Sequence, residues 1–208
     1  MSRSPLIGLV DYGSGNLRSV ERAVEHAGGT CVHVTGPGGT GECDALLVPG
    51  VGSFGDCARQ LREAGLWDVI GEWIAADRPY LGICLGYQLL FDSSEESPGV
   101  AGLGVIPGRV VHFPRAQGLK IPHMGWNRLE ILKPSDRILK GLEEENDVYF
   151  VHSYYPVPED QEIVTSVCTY GVRFAASVTR GNLSAVQFHP EKSQALGLAM
   201  LRNFITSL

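Results

Sequence analysis

The sequence predicts an α/β domain whose sheet is largely parallel, with an added antiparallel portion, and two observations carry that prediction. In the first half, short apolar runs alternate with amphipathic stretches, the pattern of parallel strands covered by helices. After Pro98 the texture changes to β-like segments separated by turn residues, as in antiparallel strands. Leu6 to Val10 reads as the first strand. The stretch after Asn16 sets Leu17, Val20, Val24 and Ala27 on one helical face and ends at Gly28-Gly29. Thr30 to Val34 is the second strand and Ala45 to Val48 a third, buried one. Asp56 to Ala64 and Leu66 to Ala76 read as helices, and Tyr80 to Ile83 as a fourth strand. The later strands are expected at Leu103 to Phe113, Leu119 to Ile131, Val148 to Tyr155, Ile163 to Cys168, Arg173 to Thr179 and Ser184 to Phe188. A C-terminal helix with Leu198, Leu201, Ile205 and Leu208 at helical spacing would cover one face of the sheet. With 208 residues and no repeat or dividing linker, residues 1–208 read as a single domain.

Composition narrows the function. A formal charge of -6 without a lysine and arginine cluster argues against a nucleic-acid or anionic-membrane surface. The five cysteines, at 31, 43, 57, 84 and 168, are odd in number and contain no C-x-x-C pair, so neither a disulfide framework nor a zinc knuckle is suggested. We expect no cofactor and no metal. The absence of a charged-then-apolar leader, a lipidation box or a run approaching about 18 apolar residues points to a soluble, cytoplasmic protein.

Chemistry concentrates at PYLGICLGYQLLF. The apolar run stops at Gly82-Ile83-Cys84-Leu85-Gly86 and resumes with helical character, so a thiol sits at an abrupt change of direction. Glycines two residues before and after Cys84 resemble the strand-to-helix elbow of G-x-S-x-G hydrolases, in which missing side chains permit a turn that exposes the central nucleophile. A cysteine opening a helix also feels the positive end of the backbone dipole, which favours thiolate. The competing reading is a buried cysteine acting as a small apolar group. A cysteine nucleophile needs a base, and of six histidines His189 has the most suggestive neighbours. In Val186-Gln187-Phe188-His189-Pro190-Glu191 the strand ends at a histidine held extended by Pro190, which is suited to begin a helix. Glu191 can accept the other ring N–H and orient the imidazole. His26, His33, His112, His123 and His152 read as structural or solvated, and Cys31, Cys43, Cys57 and Cys168 as packing residues.

The segment Pro49-Gly50-Val51-Gly52-Ser53-Phe54-Gly55 satisfies G-x-G-x-x-G after a strand and before a helix, so a dinucleotide-binding module is an alternative reading. A dinucleotide turn normally follows the first strand and needs an acidic residue about 20 positions on, ending a second strand. Here that stretch, near Trp73 to Asp77, looks helical. The preferred reading is that this backbone presents an N–H, at Gly52, toward a carbonyl attacked by Cys84, beside the N–H of Leu85, to hold an oxyanion. Glycines at 50 and 52 would also let the intervening peptide take more than one orientation. Gly13-Ser14-Gly15, after the first strand, is a weaker version of the same pattern without the third glycine.

With Cys84, His189 and Glu191 in place, the chain resembles class I, triad-type glutamine amidotransferases, which share the Gly-x-Cys-x-Gly elbow and a late His-Pro-Glu. DYGSGNLRS at 11–19, PGVGSFG, PHMGWN at 122–127, YFVHSY at 149–154 and FHPEKS at 188–193 resemble the glutaminase-subunit family of imidazole glycerol phosphate synthases. Tyr87 departs from a methionine common in that family. The resemblance implies a flavodoxin-like three-layer domain that hydrolyses the side-chain amide of L-glutamine through a thioester on Cys84. It further implies that Gln88, Glu96, Tyr149, Ser153 and Tyr154 hold glutamine, with an ordinary solvated loop as the plainer reading of Glu96. The implied partner is a (β/α)8-barrel cyclase subunit that takes the ammonia, with Asn16, Trp126 and Lys192 against it. The nearest rivals are glutaminases of other pathways, such as the anthranilate type, and a peptidase or hydrolase on the same elbow.

Overall fold

A computed structural model of the protein describes residues 3–13, 16–115, 118–142 and 146–208. The first half follows the predicted alternation. Strands β1 (Leu6–Val10), β2 (Thr30–Val34), β3 (Ala45–Gly50) and β4 (Tyr80–Cys84) are joined through helices α1 (Leu17–His26), α2 (Phe54–Glu63) and α3 (Leu66–Ala75), and β4 runs directly into the short helix α4 (Leu85–Gln88). Side chains along β1 and β3 alternate between two cores, as the period-2 geometry of a strand requires. Ile7, Leu9, Ala45 and Leu47 meet Val20 and Val24 of α1, while Val10, Leu46 and Val48 meet Phe54, Leu61 and Ile70 on the opposite face.

The second half contains β5 (Ser93–Ser94), β6 (Gly108–His112), β7 (His123–Ile131), β8 (Asp147–His152), β9 (Tyr154–Pro158), β10 (Val164–Tyr170), β11 (Val172–Arg180) and β12 (Leu183–Val186), followed by helix α5 (Gln194–Thr206). The main sheet has nine strands in the order β2-β1-β3-β4-β12-β11-β10-β7-β8, and β5-β6-β9 form a second, three-stranded sheet. Pairing from β2 to β12 is parallel, whereas β12-β11-β10-β7-β8 is antiparallel. The last strand in sequence therefore lies in the middle of the sheet, with Val186 beside Ile83. Helices α1 and α5 cover one face of the parallel half, and α2 and α3 cover the other.

Several expected boundaries change for identifiable reasons. Helix α2 starts at Phe54 because Ser53 caps it, its Oγ accepting the Asp56 N–H at 3.2 Å. Residues 103–107 are not strand, since the Leu103 and Ile106 N–H groups donate to Leu89 O and Leu90 O beyond α4. The expected strand from Val148 to Tyr155 is two strands in two sheets, broken at Ser153, whose carbonyl accepts the Phe113 N–H. Pro190 opens a 3-10 turn (Pro190–Lys192), and α5 begins only at Gln194. Leu208 lies beyond α5 and is exposed, while Met200 and Phe204 take its expected place in the core. Ser14 and Gly15 of the Gly13-Ser14-Gly15 pattern fall outside the described residues.

Two of the histidines read as isolated form a buried pair across β7 and β8. His152 Nδ1 donates to Tyr154 O at 2.8 Å, so its Nε2 is free to accept from His123 Nδ1 at 3.0 Å, and His123 Nε2 in turn accepts from Asn127 Nδ2 at 3.2 Å. One pair of neutral tautomers satisfies the whole chain, and an added proton on either ring would face a donor. Burial pushes His123 down to about 4 and His152 to about 3, the latter partly opposed by its bond to Tyr154. The unfolded chain, with ordinary histidines near 6.5, gains protons first as pH falls. Stability should thus be undiminished above about pH 6.5 and fall below it, by up to about 1.4 kcal/mol per pH unit for each histidine, until the folded-state values are crossed. Ring-proton NMR should show both imidazoles neutral at pH 5 in the folded protein. Titration of either ring near pH 6.5 would contradict the assignment.

Candidate active site

The elbow at Cys84 is built from near-contacts that only glycine permits. A side chain at Gly86 would meet Val48 O at 1.9 Å, and one at Gly82 would meet Gly86 O at 2.6 Å. With both absent, α4 folds back against β3 and β4, and the Tyr80 hydroxyl secures the turn by donating to Gly86 O at 2.9 Å. Cys84 itself has φ 56 and ψ -106, a conformation that costs a non-glycine residue roughly 1–3 kcal/mol and persists only when the surroundings impose it. Its thiol is buried, and the Leu85 N–H opens a helix whose first amides have no intrahelical acceptor.

Beside it, Gly50 pairs with Cys84 at the end of β3, and a Cβ on Gly50 would lie 2.5 Å from that of Leu85. The chain then turns through Val51 and Gly52, which has φ 98. Cys57 does more here than pack. Its thiol donates to Val51 O at 3.5 Å and lies 3.3 Å from the Tyr12 hydroxyl, which donates to Pro49 O at 3.0 Å. The predicted oxyanion loop is thereby tied down at Pro49 and Val51. The N-terminus of α2 is not free for a dinucleotide phosphate, because Phe54 N donates to Glu96 Oε2 at 2.7 Å and Gly55 N to Ser97 Oγ at 2.9 Å.

His189 and Glu191 meet as predicted. His189 Nδ1 and Glu191 Oε1 are 2.8 Å apart, with both side chains 3% exposed. The imidazole is locked from behind: His189 N donates to Tyr149 O at 2.9 Å, Ser193 Oγ donates to His189 O at 2.6 Å, and Tyr149 N donates to Ser193 Oγ at 3.0 Å. Burial alone would pull the His189 pKa down. The sulfur of Cys84, and after it Glu191, reverses this and holds the imidazole at about 10, so it carries a proton at neutral pH. The charge of Cys84 thus acts on the ring, although among the described residues Nε2 makes no hydrogen bond. Catalytic hydrogen bonds are often long or poorly aligned before substrate binds and tighten in the complex.

The remaining predicted residues divide. Gln88 is buried and turned inward, its Nε2 donating to Tyr154 O and to Gln187 Oε1, both at 3.0 Å, which leaves its own oxygen uncommitted among the described residues. Glu96 bridges the 49–55 loop to the neighbourhood of Tyr154, whose phenol its charge, after burial, pushes upward. Ser153 sits at the break between β8 and β9. Tyr149 lies against the Pro190–Lys192 turn, with the Lys192 ammonium 5.9 Å from its ring centroid and Trp126 edge-on at 6.1 Å. Trp126 and Lys192 therefore share one surface with Tyr149, and Trp126 is 48% exposed. Asn16 is exposed at the start of α1, whose helix packs beside the Pro190–Lys192 turn. Sequence reasoning missed Gln187, Tyr12 and Cys57. A glutamine between the buried Val186 and Phe188 was the available signal for the first.

Comparison with known proteins follows the same lines. The family model described as glutamine amidotransferase class-I matches residues 8–208. The chain is 49% identical over 204 residues to imidazole glycerol phosphate synthase subunit HisH of Syntrophotalea carbinolica, covering 96% of this chain and 98% of that one. It is 46% identical to the subunit of the same name from Geobacter sulfurreducens, covering 95% and 97%. It is 47% identical to the chloroplastic imidazole glycerol phosphate synthase hisHF of Arabidopsis thaliana, covering 96% of this chain but 34% of that longer one. Among solved structures, PurLQS from Thermotoga maritima superposes with a TM-score of 0.73 at 21% identity, covering 99% and 97% of the two chains.

The elbow's packing generates a direct expectation. Gly86→Ala sets a methyl against a backbone carbonyl that cannot swing away, so it should destabilise the protein by more than about 3 kcal/mol. Gly71→Ala, where the added carbon meets nothing within 4 Å, should be harmless. Paired urea titrations measure the difference, and similar midpoints for the two variants would refute the packing argument.

Proposed function

This chain belongs to the class-I glutamine amidotransferases, and on that premise we propose that it is the glutaminase subunit of an imidazole glycerol phosphate synthase in histidine biosynthesis. The observation that carries the reading is the buried imidazole of His189, whose Nδ1 is committed to Glu191 while Nε2 has no partner among the described residues, and on which the charge of Cys84 acts. A protonated ring so placed is an acid awaiting a leaving group.

The Cys84 thiolate attacks the side-chain carboxamide carbon of L-glutamine, and the negative oxygen so formed is held by the N–H groups of Gly52 and Leu85. As the carbon–nitrogen bond breaks, the His189 imidazolium gives its proton to the nitrogen, which departs as ammonia and leaves a glutamyl thioester. A water then yields its proton to the now neutral imidazole and attacks the thioester. Glutamate leaves, and the thiolate–imidazolium pair is restored. Glu191 keeps the ring oriented through both halves. Gln88 (through its oxygen), Glu96, Tyr149, Ser153 and Tyr154 line the substrate side.

Free ammonia in water is mostly protonated and then has no lone pair to attack with. The product is therefore useful when passed directly to an acceptor enzyme, here a (β/α)8-barrel cyclase subunit, forming imidazole glycerol phosphate and aminoimidazole carboxamide ribotide. The Arabidopsis relative supports the pairing, since this chain matches only part of a longer synthase chain. Trp126, Lys192 and Asn16 are placed against the barrel, with Lys192 meeting a carboxylate there. Among the described residues no helix is long and apolar enough to cross a membrane.

The test is a reconstituted pair supplied with either glutamine or ammonium salt. Cys84→Ser should abolish glutamine-dependent synthesis of imidazole glycerol phosphate and leave the ammonium-dependent reaction intact, because the acceptor site belongs to the other protein. His189→Ala should do the same. Glutamine-dependent turnover surviving in Cys84→Ser would remove the assignment.

A further inference from the structure

Gln187 follows β12 directly, between two apolar residues, yet it is fully buried and its side chain reaches the nucleophile. Its Nε2 donates to Cys84 Sγ at 3.6 Å, the one hydrogen bond made to that sulfur among the described residues. Neighbours dictate the direction of this amide. Gln88 Nε2 donates to Tyr154 O and to Gln187 Oε1, so both its protons are spent on oxygens and Gln187 must present its own oxygen to Gln88. The NH2 of Gln187 is then left for sulfur. Tyr154 O also accepts from His152 Nδ1, which leaves Gln88 no better arrangement with its amide reversed. Gln187 is held in turn by its backbone N–H on Ala176 O at 2.8 Å.

We infer that Gln187 is a further catalytic group of the same site: a fixed N–H donor that favours the anionic form of the Cys84 sulfur and holds it at the elbow. This rests on the reading of Cys84 as the nucleophile. His189 and Glu191 supply and orient the proton, whereas Gln187 supplies a neutral dipole that acts on the sulfur whether the imidazole is charged or not. A hydrogen bond to a charged acceptor in a buried site is worth more than one to a neutral acceptor, so removing the donor should penalise the thiolate selectively.

The test is alkylation of Cys84 by iodoacetamide, read from the Cys84 peptide by mass spectrometry in the intact protein at several pH values. Gln187→Met keeps the volume and loses the donor. We expect its alkylation at pH 7 to be about tenfold slower than wild type, and the gap to shrink below about threefold at pH 10, where cysteine thiols in general are ionised. Gln187→Glu keeps an acceptor for Gln88 but turns an oxygen toward the sulfur, so it should be at least as slow at pH 7. It also stands as the test should Gln187→Met fail to fold. A rate ratio independent of pH would reduce Gln187 to a packing role, and unchanged rates in both variants would overturn the inference outright. Alkylation needs no glutamine. A wild type that alkylates normally but releases no ammonia from glutamine beside the cyclase would defeat the proposed function, and the comparison would still decide on Gln187.

Discussion

Everything at this site depends on how closely three stretches of backbone approach one another. The end of β3, the end of β4 and the first turn of α4 touch at Gly50, Gly82 and Gly86, where added carbons would lie 1.9 to 2.6 Å from neighbouring atoms. That approach forces Cys84 into its positive-φ conformation and brings the 49–52 loop alongside it. The strain at one residue is stabilised by the burial of large side chains beneath it, Tyr80 and Tyr87 among them. Tyr87 does this imperfectly, since its hydroxyl is buried with no hydrogen-bond partner among the described residues.

The second requirement is delivery of His189 from a segment more than a hundred residues away. Strand β12 does this by pairing parallel with β4 on one side and antiparallel with β11 on the other, so the register Val186 to Ile83 carries the next three residues past the elbow. Gln187 lands on the sulfur, and Ser193 ties the far side of the imidazole to β8. Acid, orienting carboxylate and amide donor therefore follow directly on β12, the seam between the two halves of the sheet.

Much of this was legible in the sequence. The parallel half is legible because β1, β3 and β4 are buried on both faces and each helix carries one apolar stripe, so the elements from Leu6 to Cys84 lie within a few residues of expectation; β2, at the sheet edge, is largely exposed and is marked by its β-branched residues instead. Cys84, His189 and Glu191 were legible because glycine spacing and a proline expose backbone geometry directly. The antiparallel half was read too generously. Residues 103–107 are apolar but bond to a turn, and Ser153 divides what looked like one strand between two sheets. Gln187, Cys57 and the His123–His152 pair were missed or undervalued because their roles come from partners distant in sequence, which no local pattern reveals.

The central position of β12 has a consequence for how the protein comes into being. During synthesis β4 is made long before the strand that separates it from β11, and β11 immediately before it; until β12 pairs, each presents an open row of unpaired amides. The nascent chain must hold two unfinished edges apart until almost its last residues have left the ribosome. Premature termination upstream of Leu183 would consequently yield aggregation-prone fragments rather than a smaller, inactive protein.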